Sequence, residues 1–269
     1  MAELVVEDLR VHFGAKKAPI VAVDGVSLTV PDGGVVGLVG ESGSGKSTVA
    51  RTIVGIGKPT SGRILLGGED LLARRRGVSA VARAKDVQMI FQDPYSSLNP
   101  RMTVGEALDE VLSIHAETPK DQRPASIRRL LDLVRLKAGA AEQYPAEMSG
   151  GMRQRVAIAR ALAVRPRLIV ADEITSALDA SVQGAVLNLI KDLREELGLS
   201  MLFITHNLAA VRYIADSVAV MHRGRIVEQG PSTEVVADPR EEYTRELVGA
   251  IPRIENAGTD YLLRSLGEK

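Results

Sequence analysis

The chain has no cysteine and no tryptophan, and only 3% of its 269 residues are aromatic. Without cysteine there is no disulfide, no thiolate-bound metal and no cysteine nucleophile. Net charge is lacking too. The 34 basic and 34 acidic side chains cancel, so no whole-molecule field recruits nucleic acid or lipid. Long hydrophobic runs are absent, because Arg, Lys, Asp or Glu interrupts every candidate before it reaches membrane-spanning length. The opening Met1-Ala2-Glu3-Leu4 does not have the basic-then-apolar pattern of a secretory leader. These absences lead to the expectation of a cytosolic protein whose membrane contacts go through a partner. What remains is ordinary: 45% hydrophobic and 25% charged residues, enough chain for one large domain or two small ones.

One stretch carries most of the chemistry. Gly40-Glu41-Ser42-Gly43-Ser44-Gly45-Lys46-Ser47-Thr48 fits the phosphate-binding pattern G-x-x-x-x-G-K-[ST]. Its glycines let the backbone wind tightly, so that successive N–H groups of Ser42, Gly43, Ser44 and their neighbours form an anion nest. Lys46 then reaches the β- and γ-phosphates as a point charge, and the Ser47 hydroxyl is placed for Mg²⁺. The flanks agree. Val35 to Val39 is an apolar run that reads as a buried strand, and Ser47 to Ile56 reads as a helix whose N-terminal dipole faces the phosphates.

Along the rest of the chain, Leu4 to Val11 and Ile20 to Val30 alternate as half-buried antiparallel strands do. Phe13 lies between them, either as a core or edge aromatic or as a ring stacked on adenine. Residues 72–86 carry Arg74, Arg75, Arg76, Arg83 and Lys85, the mark of a solvated helix face or a basic lipid-facing surface. Val87 to Phe91 reads as a strand that delivers Gln92 to the ligand edge of an α/β sheet. From Thr103 to Ala140 the apolar spacing becomes helical, broken near Pro119 and Pro124, as an inserted all-helical segment would be. Tyr95, Leu98 and Met102 are apolar residues among turn formers. They either pack inside or line a groove for a partner's helix.

Ser149-Gly150-Gly151 opens a helix, as a plain N-cap or as a second anion-docking turn. Leu168 to Glu173 is a buried strand ending in two carboxylates. Mg²⁺ gives a reason for Asp172 and a general base gives one for Glu173, while Asp179 suits the N-cap of a helix over Ser181 to Leu197. Ser200 to Thr205 is the next strand, with His206 at its end. Ser217 to Met221 and Arg225 to Glu228 read as a terminal hairpin, 232–249 as one polar helix, and Gly258 to Lys269 as a helix or loose tail.

Taken in order, these motifs resemble those of an ABC transporter ATP-binding subunit over essentially the whole chain. Gly40 to Thr48 is similar to Walker A, Gln92 to the Q-loop and Ser149-Gly150-Gly151 to the ABC signature. Leu168 to Glu173 is similar to Walker B, Ser176-Ala177-Leu178-Asp179 to the D-loop and His206 to the switch histidine. Phe91 to Met102, and Tyr243-Thr244-Arg245-Glu246-Leu247 with Ala250-Ile251-Pro252, resemble the oligopeptide/dipeptide importers, a group that includes nickel importers. Met148 and Met152 stand where the general signature has Leu and Gln, and Ile174 where Pro commonly follows the Walker B Glu. The iron–sulfur cluster of some relatives is excluded by the absence of Cys.

The resemblance implies an α/β fold: a P-loop NTPase core at 1–252, with an N-terminal antiparallel β-subdomain and an α-helical subdomain inserted at about 101–160, then an extension at 253–269. It implies ATP and Mg²⁺, with Phe13 on adenine and with Gly40, Ser42, Gly43, Ser44, Gly45, Lys46, Ser47 and Thr48 on the phosphates. Ser149, Gly150, Gly151 and Asp179 would act across a head-to-tail dimer with a second ATPase subunit. Ser47, Gln92 and Asp172 would hold the metal, and Glu173, His206 and Gln92 would carry the catalysis. Two transmembrane permease subunits and an extracytoplasmic solute-binding protein complete the implied complex at the cytoplasmic face of the membrane, with no nucleic acid. A nickel or other small-solute importer and a soluble non-transport ABC ATPase are the rival readings. Gln143 to Glu147 before the signature, in place of an exporter's acidic-glycine loop, favours import.

Overall fold

The computed structural model describes residues 3–14, 19–72, 85–116 and 118–250. The arginine-rich stretch singled out in the sequence falls largely outside the described residues, as do Ile251-Pro252 and the segment from Gly258 onward.

Two sheets share the molecule. The first, in strand order β2-β1-β4-β5, is antiparallel and built from β1 (Leu4–Phe13), β2 (Ile20–Val30), β4 (Ser61–Leu66) and β5 (Glu69–Asp70). The second has the order β10-β9-β3-β8-β7-β6. It comprises β3 (Val35–Val39), β6 (Val87–Ile90), β7 (Leu168–Asp172), β8 (Ser200–Thr205), β9 (Ser217–His222) and β10 (Arg225–Pro231). All its neighbours run parallel except β10, which turns back on β9 at the edge. Its interior strands are buried on both faces, which is why β7 and β8 read as continuous apolar runs.

Alternate residues of these strands feed two cores. Val36, Leu38, Val170, Leu202 and Ile204 face the antiparallel sheet together with Val49, Ala50 and Ile53 of α1 (Lys46–Ile53). Val35, Val39, Ile169, Ala171 and Phe203 face the helices on the other side. Those helices are α2 (Pro94–Ser97), α3 (Val104–Ile114), α4 (Arg123–Leu133), α5 (Gly150–Leu162), α6 (Ala180–Leu197), α7 (Leu208–Ile214), α8 (Ser232–Ala237) and α9 (Glu242–Gly249). Gly37 sits in the middle of β3 on the helical side. A Cβ there would lie 2.5 Å from Val211 Cγ1, so α7 rests directly on the strand.

The expected helical insertion is present as α3 and α4 followed by α5. Thr103 and Glu106 close a reciprocal capping box on α3, and Pro124 falls in the first turn of α4, where its missing N–H costs nothing. One expectation needs correction, one helix was not foreseen and one open alternative is decided. The single polar helix over 232–249 is two helices, because Pro239 keeps the preceding Asp238 out of the helical region (φ −137°, ψ 71°). Helix α7 was not expected from the sequence. Leu98, for which packing inside and lining a partner groove were both open, is 4% exposed within the helical-side core, whereas Tyr95 is 52% exposed and Met102 half-buried. Packing under α5 decides this, with the Arg160 guanidinium donating to the Ser97 carbonyl.

Candidate active site

In the sheet order β3-β8-β7-β6, four adjacent strands end on one edge. There β3 delivers the glycine-rich loop, β8 delivers His206, β7 delivers Asp172 and Glu173, and β6 delivers Gln92. This is the carboxyl edge of a parallel sheet, where α/β folds bind ligands.

The loop is clamped by backbone on both sides. A Cβ on Gly40 (φ +153°) would lie 2.1 Å from the Met221 carbonyl, and one on Gly45 (φ +108°) 2.4 Å from the Ala22 carbonyl. No side chain fits at either place. The Gly224 N–H, at the β9–β10 turn, donates to the Ser44 carbonyl at 2.9 Å. Ser42 and Gly43 form the exposed tip, and Thr48 continues into α1. The Lys46 ammonium is buried and donates to the Gly40 and Glu41 carbonyls at 2.7 and 2.8 Å. Burial lowers its pKa, and the charges of Glu173, Asp172 and Glu41 pull it back up.

Ser47 Oγ donates to Asp172 Oδ1 at 3.3 Å. Burial raises the Asp172 pKa; the Ser47 hydrogen bond lowers it and the neighbouring Glu173 raises it further. Burial penalises the ionised Asp172 carboxylate, and a cation beside it would offset that cost. The donor set of Asp172 and Ser47 is all oxygen, one carboxylate and one hydroxyl. That suits a metal that shares its shell with phosphate and water. Among the described residues no cluster of three or more His, Cys, Asp or Glu forms an all-protein cage.

Glu173 has φ +49°, a left-handed conformation uncommon for its residue type. Its N–H donates to the Ile204 carbonyl, while Ser176 returns both its N–H and its hydroxyl to the Glu173 carbonyl. The turn is over-determined, and it aims the carboxylate across the sheet edge. Glu173 Oε2 accepts from Gln92 Nε2 at 3.2 Å and lies 3.5 Å from His206 Nδ1. Three residues from three strands thus converge on one oxygen. His206 itself is mostly exposed.

The second glycine pair is held by other elements. Ser149 caps α5, accepting from the Met152 N–H, and a Cβ on Gly151 would lie 2.4 Å from Val182 Cγ1 of α6. Gly150 faces Leu178. Asp179 is exposed and caps α6. The Ser181 hydroxyl and the Val182 N–H donate to it, and its pKa is lowered by them in that order. Phe13 ends β1, half exposed, opposite Ile20.

Two residues quoted in the sequence only as members of motifs make contacts at the site. Ser176 accepts from Gln92 Nε2 at 3.3 Å. Tyr243, from α9, receives the Glu41 N–H on its hydroxyl at 2.9 Å. The sequence carried Tyr243 only as the first residue of the stretch that resembles the oligopeptide/dipeptide importers, with no contact assigned to it.

Comparisons with known proteins point to one family. The ABC transporter family model matches residues 23–176. The chain is 45% identical over 263 residues to the oligopeptide transport ATP-binding protein OppF of Lactococcus lactis subsp. lactis (strain IL1403), covering 95% of this chain and 82% of that protein. It is 46% identical over 251 residues to OppF of Bacillus subtilis (strain 168), covering 93% and 82%. A putative peptide import ATP-binding protein of Brucella abortus (strain 2308) is 47% identical over 232 residues, covering 86% and 70%. Among solved structures, cbiO1 of Clostridium perfringens, part of an ABC transporter complex, superposes with a TM-score of 0.77 at 27% identity, covering 93% of this chain and 96% of that one. The ATP-binding cassette MJ0796, in a dimeric post-hydrolysis state bound to ADP and Pi, gives 0.73 at 27% identity, covering 85% and 98%.

Proposed function

The chain belongs to the ABC transporter ATP-binding family, and from that premise we propose that it is the ATP-hydrolysing subunit of a peptide importer. The convergence of Gln92, His206 and Glu173 beside the glycine-rich loop is the observation that carries this reading. Gly40 to Thr48 hold the nucleotide phosphates on backbone N–H groups, with Lys46 as the neutralising cation. Phe13 offers its exposed face to the adenine ring. Ser47, Asp172 and Gln92 hold Mg²⁺, which when bound neutralises phosphate charge. Glu173 orients the attacking water and takes its proton. Gln92 and His206, already on the Glu173 carboxylate, report the presence of the γ-phosphate to the rest of the chain.

A second copy or a paralogue supplies Ser149, Gly150, Gly151 and Asp179 to each site, head to tail. The placement of the two glycine stretches on different elements supports that division. Residues 1–252 form the ATPase unit, with its helical insertion at about 101–160, and 253–269 an extension. Two permease subunits and an extracytoplasmic solute-binding protein complete the importer and tie this subunit to the cytoplasmic face of the membrane. Among the described residues no helix is long and apolar enough to cross a membrane by itself. Tyr95, three positions after Gln92 in the chain and with the Arg153 guanidinium 4.8 Å from its ring centre, is the apolar anchor for the permease contact.

The test is Glu173→Gln. ATP binding is retained while hydrolysis falls at least about a hundredfold, as expected for a lost general base. Turnover at the wild-type rate would overturn the assignment.

A further inference from the structure

We infer that Tyr243 is a positioning residue of the nucleotide site, acting on Lys46 through a single peptide plane. The inference rests on the ATPase reading above and adds a residue to it from the far end of the chain.

The Gly40–Glu41 peptide links the two side chains. Its N–H, on Glu41, donates to Tyr243 Oη at 2.9 Å, and its C=O, on Gly40, accepts from Lys46 Nζ at 2.7 Å. In a trans peptide these two groups point in opposite directions across one rigid plane. Tyr243 therefore grips one side of the plane and Lys46 the other. Gly40 has the backbone freedom to let this plane rotate, since it has no Cβ and sits at positive φ. A rotated plane would withdraw the carbonyl that seats the ammonium and turn another polar group toward the phosphates. The tyrosine hydroxyl blocks that rotation.

Tyr243 is itself firmly placed. It is buried, and its ring stacks on His222 at 3.9 Å between centroids with 9° between planes. His222 ends β9, one residue beyond the Met221 carbonyl that presses on Gly40 and two before the Gly224 N–H that holds Ser44. The chain entering α9 is tied down as well, because the Glu228 carboxylate on β10 accepts the N–H groups of Arg240 and Glu241. Burial raises the Tyr243 pKa, so the phenol stays protonated and neutral around pH 7. The terminal hairpin and α9 thus form a strut whose tip is one hydroxyl.

Tyr243→Phe tests this, because it keeps the ring and the stack and removes only the oxygen. Loss of one neutral hydrogen bond weakens ATP binding about fivefold. KM for ATP should rise by that factor with kcat changed less than twofold, and the Kd for ADP should rise alongside. Tyr213→Phe is the comparison, since it removes a hydroxyl that meets Asn188 away from the loop. It should leave KM unchanged whatever it does to the melting temperature. Unchanged nucleotide affinity in Tyr243→Phe would overturn the inference, whether or not the variant melts earlier. Failure of the variant to fold would also overturn it, by making the hydroxyl a determinant of the fold. If the unmutated chain binds no ATP, the ATPase reading falls and this inference with it. If the unmutated chain binds ATP and the variant binds it equally well, only the inference falls.

Discussion

Gly37→Ala puts one methyl group at a place the structure leaves no room for, and its consequences run from packing to catalysis. The added Cβ would lie 2.5 Å from Val211 Cγ1 and 3.1 Å from Cγ2, whereas ordinary contact begins at 3.4 Å. Both γ-carbons are in the way, and valine in a helix has one strongly preferred rotamer, so side-chain rotation gives no relief. Helix α7 must instead back away from β3 by roughly 1 Å, at a cost of about 1–3 kcal/mol for overpacking. A gain of about 0.4–1 kcal/mol from a less flexible unfolded chain offsets part of this. The net destabilisation is therefore about 0–2.5 kcal/mol, read as a lower urea midpoint at unchanged slope.

The same shift reaches the site, because Asn207 caps α7 and His206 immediately precedes it. ATP hydrolysis should fall with the stability. Val211→Ala alone leaves a cavity, but combined with Gly37→Ala it makes room for the new methyl. The double variant should then recover at least 1 kcal/mol relative to the sum of the singles, in the range expected for residues in contact, and regain hydrolysis. Additivity within about 0.5 kcal/mol would show that the two groups do not meet and would refute the packing argument.

Asp172→Asn should abolish Mg²⁺-dependent hydrolysis yet stabilise the nucleotide-free protein at neutral pH. Burial raises this carboxyl's pKa, so its ionised form costs stability above that pKa and the cost vanishes as pH falls below the unfolded value. Urea midpoints of the two proteins should separate at pH 7 and converge in acid; a less stable variant at pH 7 would contradict the burial argument. Leu98→Asp should unfold or severely destabilise the isolated chain, because it places a charge in the helical-side core. Tyr95→Asp should leave isolated-chain ATP binding intact and weaken co-purification with permease subunits; undiminished assembly would move the permease contact elsewhere.

What was legible in the sequence follows from how local the cause was. The interior strands announced themselves because burial on both faces demands uninterrupted apolar runs, as in Leu168 to Ala171. The glycine-rich loop was legible because its backbone geometry requires glycine at particular spacings. Helix α1 stops at Ile53 although Ile56 looked like its continuation. Gly55 turns left-handed and leaves Ile56 63% exposed, a backbone choice that overrides apolar spacing. The Asp238-Pro239 break was missed although its cause is equally local, since proline's effect on the preceding residue suffices to place it.

Leu98 and Tyr243 are cases of another kind. Tyr95 and Leu98 sit three residues apart in one turn-rich loop, and no pattern there says that one faces water while the other lies under α5. The difference arises from a helix far along the sequence, as the Arg160 contact to Ser97, 63 positions apart, shows. Tyr243 and Glu41 are 202 positions apart, and their bond exists only because β9, β10 and α9 fold back beside the β3 loop. Glu173 combines the two kinds. Its chemistry was readable from two carboxylates at a strand end, but its left-handed φ is imposed by hydrogen bonds to Ile204 and Ser176. Residue type thus indicated what the site can do, and the tertiary fold determined where its groups point. Substitutions at the supporting positions, Gly37 and Tyr243, should therefore alter nucleotide handling without touching a phosphate.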